Sequence, residues 1–145
     1  MAPPQQQLIS DALAQELQDA GLVWHPEAGD HFRIRAEALA EDVFILSHMV
    51  IEAREFDTGT VLRFNGTTEW ALDSVAKEDA LWLPREDQLR DRLGAAFVRL
   101  ERTDEGYALT MRRHDGTEST FTASTPAEAY GRGLLDLVRV AVEPA

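Results

Sequence analysis

The first patterned stretch of the chain, "QQQLISDALAQELQDAG", repeats apolar residues at helical spacing. Leu8, Ile9, Ala12, Leu13, Leu17 and Ala20 fall on one face, and Gly21 follows as a stop, so an amphipathic helix is predicted. Pro3 and Pro4 precede it, and residues 1–5 are expected to fray. The pattern then changes to alternation. "LVWHPEAGDHFRIR" predicts a short strand, a turn at Pro26 and Gly29, and a second strand. In that second strand Phe32 and Ile34 alternate with His31, Arg33 and Arg35. "AEALAED" reads as a loop or one helical turn. Val43–Phe56 is the strongest strand signal, apolar on both faces as far as Val50, and so expected to lie centrally with cover on both sides.

"VLRF" is a further strand, followed by Asn65-Gly66, a pair suited to a type I′ hairpin turn. That turn would set Phe64 opposite Thr67, Leu62 opposite Glu69 and Val61 opposite Trp70. "ALWL" is a short apolar run that leads into a capped helix, Pro84–Leu93. Proline suits its first turn, Glu86 and Asp87 complement its dipole, Leu89 and Leu93 share a face, and Gly94 closes it. "FVRLER", "YALTMRR" and "ESTFTA" predict three strands joined by the tight turns "TDEG" and "HDG". The last helix, in "STPAEAYGRGLLDLVRVAV", opens on a capping box from Thr125 to Glu128, with Pro126 at its first position. Ala129, Gly133, Leu134, Leu137 and Val138 form its apolar stripe, and the small Ala129 and Gly133 permit close approach to a sheet. The order of elements predicts an α+β fold: a curved antiparallel β-sheet with about three α-helices packed on it. A single domain over 1–145 is expected, with 84–141 as a compact helix–three strands–helix subunit within it.

Charge narrows the partners. The net charge is −12, divided as −9 over residues 1–75 and −3 over 76–145. Such a chain is repelled by nucleic-acid phosphates and by anionic lipid, so neither nucleic acid nor membrane is expected as a partner. No stretch has the length of apolar sequence that spans a bilayer, and "MAPPQQQ" lacks the basic start and apolar core of a secretory signal. A cytoplasmic location is expected. The absence of cysteine rules out disulfides, thiolate metal sites and cysteine nucleophiles.

The candidate chemistry is sparse. The glycines of "YGRGLL" lie inside a helix, with no strand before them and no lysine after, so they form no phosphate-binding loop. His25 and His31 flank a turn containing Glu27 and Asp30. A metal cluster is one reading, but the spacing matches no familiar ligand set, and exposed polar loop residues are the plainer one. His48 lies inside an apolar strand, as a hydrogen-bonded core histidine or as a base in a pocket. Ser47 points to the opposite strand face, so the two form no dyad. Ser10, Ser74, Ser119 and Ser124 lack a nucleophile-elbow context. No catalytic residue, metal ligand or cofactor is therefore assigned. Trp24, Trp70 and Trp82 all fall near strand ends. They are read as packing under the helices or, for Trp70 and Trp82 beside Arg63 and Arg85, as a hot spot for a protein partner.

Four stretches, "GLVWHPEAGD", "FNGTTEWALDSV", "WLPREDQLRDRLG" and "TPAEAYGRGLLDLV", resemble a family of small actinobacterial proteins that carry the label pilus assembly protein CpaE. The resemblance runs from about Leu8 to Val138 and carries over no functional residue. It implies a pilus- or secretion-associated role. The last third, through "YALTMRRHDG" and the Ala-rich helix after it, is similar to helix–sheet–helix sandwich domains of phage origin. The resulting expectation is a non-catalytic cytoplasmic interaction protein, binding itself or another protein through Trp70, Trp82, Arg63 and Arg85. The alternative is a small-ligand binder or minor hydrolase with a pocket between helices and sheet, lined by His48 and Trp24.

Overall fold

A computed structural model describes residues 8–35, 43–45, 50–56, 59–64, 74–76 and 80–142, with the side chains of 44, 50–56, 59–64, 74–76 and 142 left aside. The first helix, α1, spans Asp11–Ala20 and so begins later than the apolar pattern. Ser10 is its N-cap, and the Leu13 N–H donates to the Ser10 hydroxyl at 3.2 Å. Gly21 ends the helix at φ 116°, a conformation that glycine adopts without steric cost. Six strands follow: β1 (His31–Ile34), β2 (Val43–Ile45), β3 (Val50–Phe56), β4 (Gly59–Phe64), β5 (Ser74–Ala76) and β6 (Ala80–Leu83). Then come α2 (Glu86–Leu93), a 3₁₀ turn at Gly94–Ala96, β7 (Phe97–Thr103), β8 (Gly106–Arg112), β9 (Glu118–Ala123) and α3 (Pro126–Val142). The fold is α+β, and its strand pairs are antiparallel. Among the described residues they form three three-stranded sheets, ordered β2-β1-β6, β3-β4-β5 and β7-β8-β9.

The chain divides into two compact units, one made of residues 1–23 with 84–145 and the other of 24–83. The first unit contains the anticipated helix–three strands–helix arrangement and adds α1 to it. Its hub is α3, which packs on β8 and β9 and also on α1 and α2. Two glycines make that possible. A Cβ on Gly133 would lie 2.5 Å from both Leu109 Cδ2 and Met111 Sδ, so the helix rests directly on β8. A Cβ on Gly131 would lie 2.6 Å from Leu13 Cδ2 and 2.9 Å from Ile9 Cδ1, so α1 approaches as closely. The sheet face under α3 is a ladder row of Leu100, Leu109 and Phe121, with Met111 beside it. Leu109 is fully buried and Met111 is 3% exposed. Loss of helix propensity at two glycines, about 1 kcal/mol each, is offset by this contact on two sides.

The start of α3 is only half of the expected capping box. The Glu128 N–H donates to the Thr125 hydroxyl at 3.2 Å. The Glu128 carboxylate, however, takes the Ser10 N–H and, at 3.2 Å, the Ser10 hydroxyl. One glutamate thus joins the N-terminus of α1 to that of α3. Helix α2 begins at Glu86 and not at Pro84: Arg85 is its N-cap residue, and the Gln88 side chain accepts from the Arg85 N–H at 2.9 Å. Leu89 and Leu93 are buried, as their spacing required.

In the second unit β1 is the central strand of its sheet, and its alternation holds: Phe32 and Ile34 are buried while His31 and Arg33 are half-buried. Phe32 lies opposite Trp82 across the β1–β6 ladder. Trp24 stacks on Trp82 with centroids 6.3 Å apart and meets Phe32 at 5.6 Å. No strand forms at 22–25. That loop is held by a side chain instead: Asp30, 2% exposed, accepts at one carboxylate oxygen from Trp24 Nε1 at 2.8 Å and from the Glu27 N–H at 2.9 Å. Asp30 is therefore a buried structural acid and not an exposed loop residue.

Two strand expectations are corrected. Val43–Phe56 is not one central strand, because its ends belong to different sheets: β2 pairs with β1, and β3 with β4. β2 is an edge strand with Ile45 60% exposed. The strand covered on both faces is β6, all four of whose residues are buried. An apolar run reports burial averaged along its length and does not mark where the chain changes sheet. The β4 register also differs: Val61 pairs with Ala76 and Leu62 with Val75, not with Trp70 and Glu69. A turn preference acts locally, whereas a ladder is chosen by all its pairs together. Asn65-Gly66 itself lies outside the described residues.

Two stability outcomes follow from these contacts. Gly133→Val, which inserts atoms into the α3–β8 contact, is expected to lower stability by about 2 kcal/mol or more, read from the urea midpoint. Asp30→Ala leaves the Trp24 indole N–H and the Glu27 N–H without their acceptor and is expected to cost about 2 kcal/mol or more. Asp30→Asn, which keeps one acceptor oxygen, is expected to cost less, with tryptophan fluorescence following both unfolding curves.

Candidate interaction site

The residues singled out from sequence are not gathered in one place. Trp82 is 7% exposed and Trp24 is 5% exposed, and their apolar surface is taken up by stacking on each other and on Phe32. Trp82, expected at an interaction surface, is thus a packing residue, and Trp24 packs against it instead of opening a pocket. Arg85 is half-buried at the start of α2, with its Nε 3.1 Å from Asp87 Oδ1. Arg63 lies on β4 opposite Ser74, and its side chain is outside the described residues. His48 and Trp70 lie outside them altogether.

A groove of about 670 Å³ in the first unit brings together residues that sequence periodicity assigned elsewhere. Helix α2 contributes Glu86, Asp87, Arg90 and Asp91 to it. Gly94 and Phe97 follow from the turn and the start of β7, and Tyr130 comes from α3. The capped α2 holds its buried side, Leu89 and Leu93, against α3 and turns its charges outward. Glu86 and Arg90 are placed for a helical ion pair, yet Arg90 lies over the Phe97 ring with its guanidinium carbon 4.4 Å from the centroid. Phe97 in turn meets Tyr130 at 6.1 Å in a tilted pair.

Tyr130 decides the character of this groove. It is 4% exposed, and its hydroxyl makes no hydrogen bond to any described residue. Burial pushes that hydroxyl above the ordinary tyrosine range; Arg90 pulls it back and Glu86 pushes it further up. The ring is buried, whereas the hydroxyl is not among the fully buried unbonded polar atoms and is reached from the groove. On the outer side of α2, hydrogen bonding from Arg85 holds the Asp87 carboxyl below its usual range. Glu86 and Asp91 form no ion pair with a described residue.

A second groove of about 480 Å³ runs between α1 and α3, and its charged rim is already satisfied. Arg139 pairs with Glu16 at 3.4 Å and Arg113 with Asp136 at 2.8 Å. Arg132 donates to the Thr122 carbonyl, covering part of the β9 edge. No group of three or more His, Asp or Glu placed to hold a metal ion occurs among the described residues. No helix among them is long and apolar enough to cross a membrane. His25 and His114 are exposed, and neither they nor His31 receive a hydrogen bond from a serine or threonine among the described residues.

Comparison with protein-family models, curated proteins and solved structures finds no match to the chain. The groove was missed in the sequence because its parts come from three separate elements. One signal was present: Tyr130 occupies the buried stripe of α3 with Ala127 and Leu134, and a polar tip on such a stripe needs a partner or an opening.

Substitution separates the two ends of this side chain. Tyr130→Phe is expected to change stability at neutral pH by less than about 1 kcal/mol, since no bond to a described residue is lost, whereas Tyr130→Ala is expected to cost about 3 kcal/mol or more. The raised ionisation also has a sign. The unfolded chain releases the tyrosine proton first, so this contribution to stability is complete below the ordinary tyrosine range and is lost as pH rises through the higher folded value. Alkaline absorbance titration is expected to show a late-ionising component in the native protein that Tyr130→Phe removes.

Proposed function

We propose that the protein is a non-catalytic interaction protein that contacts a protein partner, a second copy or another chain, through the groove between α2, Phe97 and Tyr130. The observation that carries this reading is the groove itself: it is open, Glu86 and Asp91 on its rim pair with no described residue, and the Tyr130 hydroxyl, on a buried ring, bonds to none. Open polar groups of this kind can bond to a partner in place of solvent. The strongly acidic balance favours a protein partner over nucleic acid or an anionic membrane. The lack of cysteine suits a reducing, cytoplasmic setting. A pilus- or secretion-associated process rests on the family resemblance alone.

The test is capture from extract of the native host, comparing the natural chain with Asp91→Arg, beside light scattering over a range of protein concentrations. A reproducible partner lost from the variant, or a self-association that the variant abolishes, supports the reading. Equal recovery by both proteins, or no partner together with a monomer at every concentration, overturns it.

A further inference from the structure

We propose that two copies of this chain pair edge to edge through β7, about a two-fold axis at Leu100, so that β7-β8-β9 of each joins into one antiparallel sheet. The proposal does not rest on the groove reading. Among the described residues β7 is an outer strand, and the backbone groups of Leu100 and Arg102 bond to no backbone group outside the β7–β8 ladder. The tight turn closes on Thr103 and Gly106, and bonded and non-bonded pairs alternate back from there. Glu101 therefore bonds to β8, whereas Leu100 and Arg102 direct their N–H and C=O groups to the free edge. Such an edge is a template for another strand. Centred on Leu100, antiparallel pairing sets Arg99 opposite the second copy's Glu101, and Glu101 opposite its Arg99. Within one copy these exposed side chains already meet on one face at 3.4 Å. Pairing joins them into a square of four charges of alternating sign. On the other face, Leu100 ends the apolar row of Phe121, Leu109 and Leu100 and is only half-buried. The second copy continues that row with its own Leu100, Leu109 and Phe121. A centre at Glu101 or at Arg102 would instead oppose like charges, and the bulge at Val98 interrupts the strand on the other side. β7 bears two arginines and one glutamate, so at this edge a chain of net charge −12 meets its own copy without local repulsion. The opposite edge, β9, has Glu118 as its one charge, and Arg132 already takes its Thr122 carbonyl.

A monomer and a strand from another protein are the rival occupancies of this edge, and charge swapping separates them. Sedimentation equilibrium of the full chain over about 1 μM to 1 mM is expected to show monomer and dimer in exchange. Arg99→Glu or Glu101→Arg alone opposes like charges twice and is expected to weaken dimerisation about tenfold. Arg99→Glu/Glu101→Arg restores opposite charges in reversed order and is expected to return the dissociation constant to within about threefold of the natural one. Disulfide trapping gives a second readout in a chain without cysteine. Leu100→Cys places its two copies in a bonded pair at a Cα separation of about 5.5 Å, which a disulfide spans. Thr103→Cys places them about 20 Å apart along the strands. Mild oxidation is expected to cross-link the first variant and not the second. A dimer that the single reversals leave unchanged, or that the swap does not restore, overturns the pairing, as does equal cross-linking by the two cysteine variants. A chain that stays monomeric throughout and is not trapped at Leu100 also overturns it; a host protein whose capture is then lost in Arg99→Glu assigns the edge to another protein's strand. The two readings fail separately, because the groove is probed at Asp91 and the edge at Arg99, Leu100 and Glu101.

Discussion

The close contact of α3 with two neighbours at once is the constraint on which the first unit depends. Three nearby positions point three ways. Gly131 meets Ile9 and Leu13, Gly133 meets Leu109 and Met111, and Tyr130 turns toward Phe97. A helix covered on most of its sides must be small where backbones approach and large where they do not. The alternation Tyr130-Gly131-Arg132-Gly133 meets that requirement: the arginine alone is exposed, and it satisfies the Thr122 carbonyl. The groove is a by-product of the same geometry. Because α1 and the sheet sit close, the Tyr130 ring is held firmly by its neighbours while the residue still reaches the groove.

The second unit is organised by a different device. Between α1 and β1 the backbone makes no regular ladder, so its polar groups need side-chain partners. Asp30 provides one carboxylate oxygen for two N–H groups, one of them on the ring that stacks over Trp82. The aromatic cluster and the buried acid therefore depend on each other. The acid satisfies the indole, and the indole helps shield the acid from solvent.

Elements with a strong period were legible from sequence. Leu13 and Leu17, Leu89 and Leu93, and Ala129, Gly133 and Leu134 all lie on the buried faces that their spacing required, while Leu137 and Val138 are half-buried. The tight turn at Gly106 was likewise plain, and a Cβ there would collide with the Ala123 carbonyl. What periodicity does not contain is the choice among long-range partners. Glu128 bonds to Ser10, far away in the chain, although a capping box offers it a local partner. Val61 takes Ala76 as its ladder partner although Asn65-Gly66 offers a nearer one. The candidate site was illegible for the same reason. Sequence reasoning ranked conspicuous residues such as Trp82 and Arg85, whereas the groove is assembled from α2, the start of β7 and a single tyrosine of α3.

The first unit is discontinuous: α1 belongs with residues that follow an excursion of some sixty residues, Trp24–Leu83. Contacts between parts of the chain so far apart carry a loop-closure cost and slow folding. On the ribosome, Ile9 and Leu13 emerge with the whole of Trp24–Leu83 still to be made before the helix surface that receives them. Until then the apolar side of α1 has no permanent home, and nascent chains of this protein pass through a period when they are open to chaperones and to association with one another.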